Sequence, residues 1–285
     1  MGYEVCVDCR SKNRIHFVSE KSDEIYSICR KGQAPSAKKM HVESTPQKHY
    51  RAFILDADNT LFDFDRAERD ALREALLAGG YESLPKDTFF RYHRINDELW
   101  KLFERGFIDQ GQLGVERFRR LLAILPPPQR RTPSADPARI GDRYIEALSE
   151  KGYLRAHALP VLRCMSSKVP LLLLSNGIAS VQRRRIDRSG IGMYFKEILI
   201  SAEVGLAKPD PAIFALAIEK LKCAKEQILC VGDSPSSDIR GGRLSGLDTC
   251  WYAPPGSEYP AEEPSPLYAI SDLRQLLDFL PPPQA

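Results

Sequence analysis

Four short runs constrain any fold of this chain: AFILD (52–56), VPLLLLS (169–175), KEILIS (196–201) and QILCVGD (227–233). They are largely apolar and lack the strict alternation of a strand wetted on one face, so they read as strands buried on both sides. Between and after them come stretches with helical spacing: RAERDALREALLAGG (66–80), ASVQRRRIDRSG (179–190), DPAIFALAIEKLK (210–222) and SDIRGGRLSG (237–246). Apolar strands alternating with helices predict an α/β fold, a Rossmann-like parallel sheet with helices on both faces. DTCWYA (248–253) reads as a further strand, and YAISDLRQLLDFL (268–280) as a short edge strand and a helix.

The segment between the first two strands is too long for a simple crossover. Residues 83–150 are mostly helical in pattern and rich in aromatics, with a break at LPPPQRRTPSADPAR (125–139). An inserted helical cap domain is expected. The predicted division is a flexible N-terminal extension (1–50), a core (51–65 and 151–285) and a cap (66–150).

In the extension, KGQAPSAKKMHVESTPQKH is polar and contains proline, which suits a disordered tail or linker. Met40 is a candidate alternative start. Cys6-x-x-Cys9, with Cys29, His16 and His41, has the residue types of a zinc site but lacks a second pair at regular spacing. A loose segment is the simpler reading. The extension carries nine Lys/Arg against six Asp/Glu, the whole of the net charge of +3, and the remainder holds 32 of each sign. That balance gives no case for nucleic acid as a partner. The run RRRIDR (183–188) reads as the solvated face of a helix, and His93 and His157 as surface or packing residues.

The seven cysteines are odd in number in a long chain, which favours a reducing compartment over a disulfide scaffold. No apolar window approaches membrane-spanning length, and the N-terminal stretch lacks the apolar centre of a secretory signal. A cytoplasmic protein without membrane partners is expected, as a monomer or homodimer.

The polar residues that carry chemistry gather at the predicted strand ends, where ligands sit in an open parallel sheet. The first strand ends in Asp56 and runs on to Asp58. The second ends in Ser175-Asn176-Gly177. Lys208 lies in the loop GLAKPDP after the third, the fourth ends in Asp233, and Asp238 follows. Residues two apart on an extended chain face the same way, so Asp56 and Asp58 share one side. Crowded carboxylates need a cation and a lysine, and oxygen ligands without paired His or Cys favour magnesium. Such a site, with hydroxyl and amide donors, suits a phosphoryl group. Each residue alone has a plainer reading as a turn or cap; their order and placement favour the joint one.

DADNT, LLSNG, GLAKPDPAIF and VGDSPSSD resemble, in order, the four motifs of the haloacid dehalogenase-like hydrolases, over a core of about residues 51–280. The resemblance implies Asp56 as nucleophile, forming an aspartyl-phosphate, and Asp58 as general acid and then base. It implies magnesium held by Asp56, the backbone carbonyl of Asp58 and Asp233, with Asp238 supporting directly or through water. Ser175 and the amide of Asn176 would bind phosphate, and Lys208 would pair with phosphate and Asp56. The dehalogenases of this superfamily lack a carboxylate at the position of Asp58, so its presence favours phosphate chemistry.

The cap sequence YHRINDELWKLFERGFIDQGQLGVERFRRLL (92–122) resembles that of bacterial pyrimidine 5'-nucleotidases acting on non-canonical nucleotides, through Asn96, Leu99-Trp100, Phe103-Glu104, Gly106 and Arg117-Phe118. The implied substrate is a small phosphorylated metabolite, a pyrimidine nucleoside monophosphate. A sugar phosphate, phosphoglycolate or acylneuraminate phosphate would keep the chemistry and change the substrate, and a phosphomutase is a more distant alternative. A non-catalytic binding protein on the same fold would be expected to lack a motif residue, and all six are present. On physical grounds alone, Trp100 and Phe103 at i, i+3 read as helix core.

Overall fold

The computed structural model describes residues 16–17, 48–130, 132, 135–253 and 257–282. Cys6, Cys9, Cys29, His41, Met40 and most of the predicted extension lie outside the described residues.

Among the described residues, seven parallel strands form one sheet: β1 (His16–Phe17), β2 (Ala52–Leu55), β3 (Leu171–Ser175), β4 (Glu197–Ile200), β5 (Ile228–Gly232), β6 (Asp248–Tyr252) and β7 (Tyr268–Ile270). Their order is β1-β7-β6-β5-β2-β3-β4. The predicted edge strand β7 is therefore flanked by β1, whose two residues pair with Tyr268 and Ala269. The apolar runs have a simple cause. Phe53 and Leu55 of β2 enter one buried cluster with Leu171, Leu173, Leu229 and Val231, while Ala52 and Ile54 enter another with Leu172, Leu174 and Cys230. Both faces are covered, so neither parity of the strand meets water.

Helices α1 (Phe64–Ala78), α2 (Thr88–Glu104), α3 (Gln110–Ile124) and α4 (Pro137–Ser149) follow β2. Then come α5 (Ala158–Ser166), α6 (Ala179–Ser189) and α7 (Pro211–Leu221), which flank the sheet, and short helical turns including Pro235–Ile239 and Arg240–Leu244. Asp109 and Asp136 cap α3 and α4 by accepting from the first-turn amides. The first four helices bury a cluster of their own, built on Leu72, Tyr92, Leu99, Phe118, Leu121 and Tyr144. Val181 of α6 joins it, so this cluster rests on the sheet domain.

The chain leaves and re-enters the sheet domain through two connections that pair with each other. Asp63 N–H donates to Tyr153 O at 2.9 Å and Arg155 N–H to Leu61 O at 2.8 Å. The outgoing connection is pinned at Asn59, whose left-handed backbone (φ 60°) suits asparagine. Arg155 donates to its carbonyl at 3.1 Å and to its side chain at 3.0 Å.

Candidate active site

β2 lies inside the sheet, with β3 on one side and β5 on the other. Successive connections diverge there, which opens a crevice beyond the carboxyl ends of the strands. Asp56 stands at that point, 7% exposed. Its N–H donates to Val231 O at 2.9 Å, continuing the ladder with β5.

Lys208, 3% exposed, reaches the same point from the loop after β4. Its ammonium donates to Asp56 Oδ1 at 2.6 Å, Asp238 Oδ1 at 2.7 Å and Leu174 O at 3.0 Å, which uses all three hydrogens. Burial works against its charge, but Asp238 and Asp56 outweigh this and raise its pKa. The loop is held by Asn176, whose side-chain amide donates to Lys208 O and whose Oδ1 accepts from Lys208 N–H, both at 2.8 Å. Asn176 thus has a side-chain function that the sequence did not reveal: it fixes the lysine.

Three carboxylates from two strand ends and the adjoining turn converge here. Oxygens of Asp56, Asp233 and Asp238 come within 4.8 Å of one another. Asp238 is occupied on both oxygens, by Lys208 and by Ser234 N–H at 3.0 Å. Asp56 Oδ2 is buried and has no partner among the described residues. Burial first, and then the charges of Asp238 and Asp58, push Asp56 up to about 7 despite Lys208. Burial and the neighbouring Asp56 and Asp238 raise Asp233 likewise. One lysine leaves this group with excess negative charge. An all-oxygen donor set with one orphaned buried oxygen fits a hard divalent cation, which Asp56, Asp233 and Asp238 could hold between them.

Asp58 lies beyond the strand end, and Gln182 and Arg185 of α6 donate to its two oxygens. Arg185 departs from the sequence reading. Arg183 pairs with Glu203, and Arg184 and Arg188 pair with Glu150 as a solvated face should, but Arg185 is fully buried against Asp58. The buried stripe of α6 is Val181, Gln182, Arg185 and Ile186. The two apolar members mark that face in the sequence and would have identified Arg185.

A cavity of about 310 Å³ extends from Asp56, Ser175 and Lys208 to the first helices. There it meets one face of α2, carrying His93, Asn96, Asp97, Trp100 and Lys101, and Arg117 of α3. His93 is therefore more than a surface or packing residue. Its Nδ1 lies 3.0 Å from the buried Glu68 and its Nε2 3.4 Å from Asp97. Asn96 donates to Glu68 at 2.9 Å and accepts from Arg117 at 3.3 Å. Trp100 packs edge-on against Phe103 (5.5 Å between centroids) and also lines the cavity, so it is both core and site wall.

A sequence profile described as haloacid dehalogenase-like hydrolase matches residues 50–246. The HAD-hydrolase YfnB of Bacillus subtilis (strain 168) is 32% identical over 234 residues, 82% of this chain and 96% of the relative. Its magnesium-bound crystal structure superposes with a TM-score of 0.73, covering 82% of this chain and 99% of that one. The pyrimidine 5'-nucleotidase YjjG of Escherichia coli (strain K12) is 31% identical over 228 residues, 80% of this chain and 96% of the relative. The pyrimidine 5'-nucleotidase PynA of Streptococcus pneumoniae (strain ATCC BAA-255 / R6) is 30% identical over 233 residues, 81% and 95% of the two chains.

Proposed function

The chain belongs to the haloacid dehalogenase-like hydrolases, and from that premise we propose that it is a magnesium-dependent phosphatase of pyrimidine nucleoside 5'-monophosphates. The observation that carries this reading is the single cavity joining the Asp56, Ser175 and Lys208 end to the polar and aromatic face of α2. One end suits a phosphoryl group. The other offers an indole, an amide, a carboxylate and cations, which together suit a planar base with carbonyl and N–H groups. The names of YjjG and PynA point the same way.

In this reading an Asp56 carboxylate oxygen bonds to phosphorus as the ester bond to the leaving oxygen breaks. Asp58 gives its proton to that oxygen. A water oxygen then bonds to phosphorus and the bond to Asp56 breaks. The water's proton passes to Asp58, and inorganic phosphate leaves. Ser175 and the backbone N–H of Asn176 hold the phosphoryl oxygens, and Lys208 keeps Asp56 oriented. Asp56, the Asp58 carbonyl and Asp233 would hold magnesium, with Asp238 behind them. When bound, the ion draws charge from the phosphoryl oxygens and relieves the crowded carboxylates.

The test is phosphate release from UMP, dUMP, dTMP, AMP, phosphoglycolate and several sugar phosphates, with magnesium and with chelator. Magnesium-dependent release strongest with the pyrimidine monophosphates is expected. Preference for sugar phosphates would discard the substrate assignment and keep the chemistry. Release unaffected by chelator would overturn the metal.

A further inference from the structure

Two residues outside the four motifs close around Asp58. Gln182 and Arg185 lie one turn apart on α6 and are 1% and 0% exposed. Gln182 Nε2 donates to Asp58 Oδ2 at 2.6 Å, and Arg185 Nη1 donates to Asp58 Oδ1. Arg185 Nη1 also donates to Gln182 Oε1 at 3.1 Å. An arginine can only donate, so this contact fixes which end of the Gln182 amide is oxygen. Nε2 must then be the donor in its second bond, 2.8 Å to Ser175 Oγ. Gly177 N–H donates to the same Oγ at 3.2 Å. With both lone pairs of Ser175 occupied, its hydroxyl hydrogen is left to donate outward.

Arg185 is itself fixed from the cap side. Its Nε donates to Lys151 O at 3.2 Å, next to the returning connection. Its guanidinium lies 4.5 Å from the ring centroid of Phe62, on the outgoing connection, and 5.4 Å from that of Phe64, the first residue of α1.

We propose that Gln182 and Arg185 are positioning residues for phosphoryl transfer, holding the Asp58 carboxylate in place and setting the Ser175 hydroxyl as a phosphate donor. The inference rests on the phosphatase reading above. A brace that served folding alone would have no need to engage both oxygens of one motif carboxylate and the hydroxyl of a second motif. Through Arg185 the same clamp is tied to both connections of the cap.

The clamp acts on the residue that delivers a proton, so its loss must weigh most where the leaving oxygen needs that proton. The experiment compares kcat/KM, in magnesium, for the best alkyl phosphate of the panel and for dinitrophenyl phosphate, whose phenolate leaves without protonation. Wild type, Gln182→Met, Arg185→Met and Arg185→Lys are measured. Gln182→Met and Arg185→Met should lose at least about tenfold more on the alkyl phosphate than on the aryl one, within the roughly 10²–10⁴-fold range of general acid catalysis. Any weakening of Ser175 falls on both substrates and cancels in the ratio. Arg185→Lys should recover part of it. Equal losses on both substrates would overturn the role at Asp58, since they are what displacement of Ser175 alone would give. If circular dichroism shows Arg185→Met unfolded, Gln182→Met, similar in shape but without the amide donors, decides alone. A wild type inactive on every monoester would overturn the phosphatase reading and the clamp with it. A wild type active on both, with an unchanged ratio in the variants, overturns the clamp only.

Discussion

Gly232 ends β5 against the carboxylate of Asp238, and a Cβ there would lie 2.2 Å from Asp238 Cγ. That approach requires glycine. Gly232→Ala must push aside a carboxylate that accepts from Lys208 and from Ser234 N–H. We expect about 1–3 kcal/mol of destabilisation in urea unfolding, the usual cost of overpacking, with a larger proportional loss of phosphatase rate. A variant with wild-type rate would mean that Asp238 does not govern Lys208. At this scale the sequence was legible wherever a residue stood at a strand end. Asp56, Ser175 and Asp233 could be placed there, and Lys208 and Asp238 in the segments that follow, because the ends of parallel strands share one crevice. Gln182 and Arg185 were missed, because three consecutive arginines look alike unless Val181 and Ile186 are first used to fix the helix face. Asn176 follows the end of β3, but its side-chain bond is to Lys208, 32 residues away along the chain.

Among the helices, α1, α2 and α3 meet around Glu68, a fully buried carboxylate that takes its bonds from His93 and Asn96. The bond to Glu68 raises His93 to about 9, with burial opposing and Asp97 and Asp65 assisting. A histidine raised in the fold stabilises it fully below its ordinary value of 6.5, and that contribution is lost as pH rises through about 9. Burial raises Glu68, which acts in the same direction at lower pH. The thermal midpoint should therefore fall between neutral pH and pH 9 in the wild type, and His93→Gln should flatten this fall. An equal fall in both proteins would remove His93 as its source. The helices themselves were legible from spacing and capping residues. The polar face of α2 was not, because aromatic residues at i, i+3 announce a core and Trp100 serves both core and cavity.

For the molecule as a whole, the crowded carboxylates predict a response to metal. A cation bound only by the folded state stabilises it by RT ln(1 + [L]/Kd), about 2.7 kcal/mol at a hundred times Kd. The thermal midpoint should rise with magnesium in the wild type and stay level in Asp233→Asn, which keeps the shape and removes a ligand charge. A flat response in the wild type would argue against a cation site at Asp56 and Asp233. The sheet was legible because continuous apolar runs have few other homes, and the insertion because its length exceeds any crossover. The pairing of its two connections was not, since the partners stand some ninety residues apart. That pairing has a consequence in chain entropy. To the sheet, everything between Leu61 and Arg155 is one loop whose mouth is already closed by Asp63 and Arg155. Closing a loop costs only about 0.6 kcal/mol more for each doubling of its length. What hangs from these two connections can therefore be lengthened, shortened or exchanged at little expense to the strands that carry the chemistry, and new leaving groups can be reached by changing the insert alone.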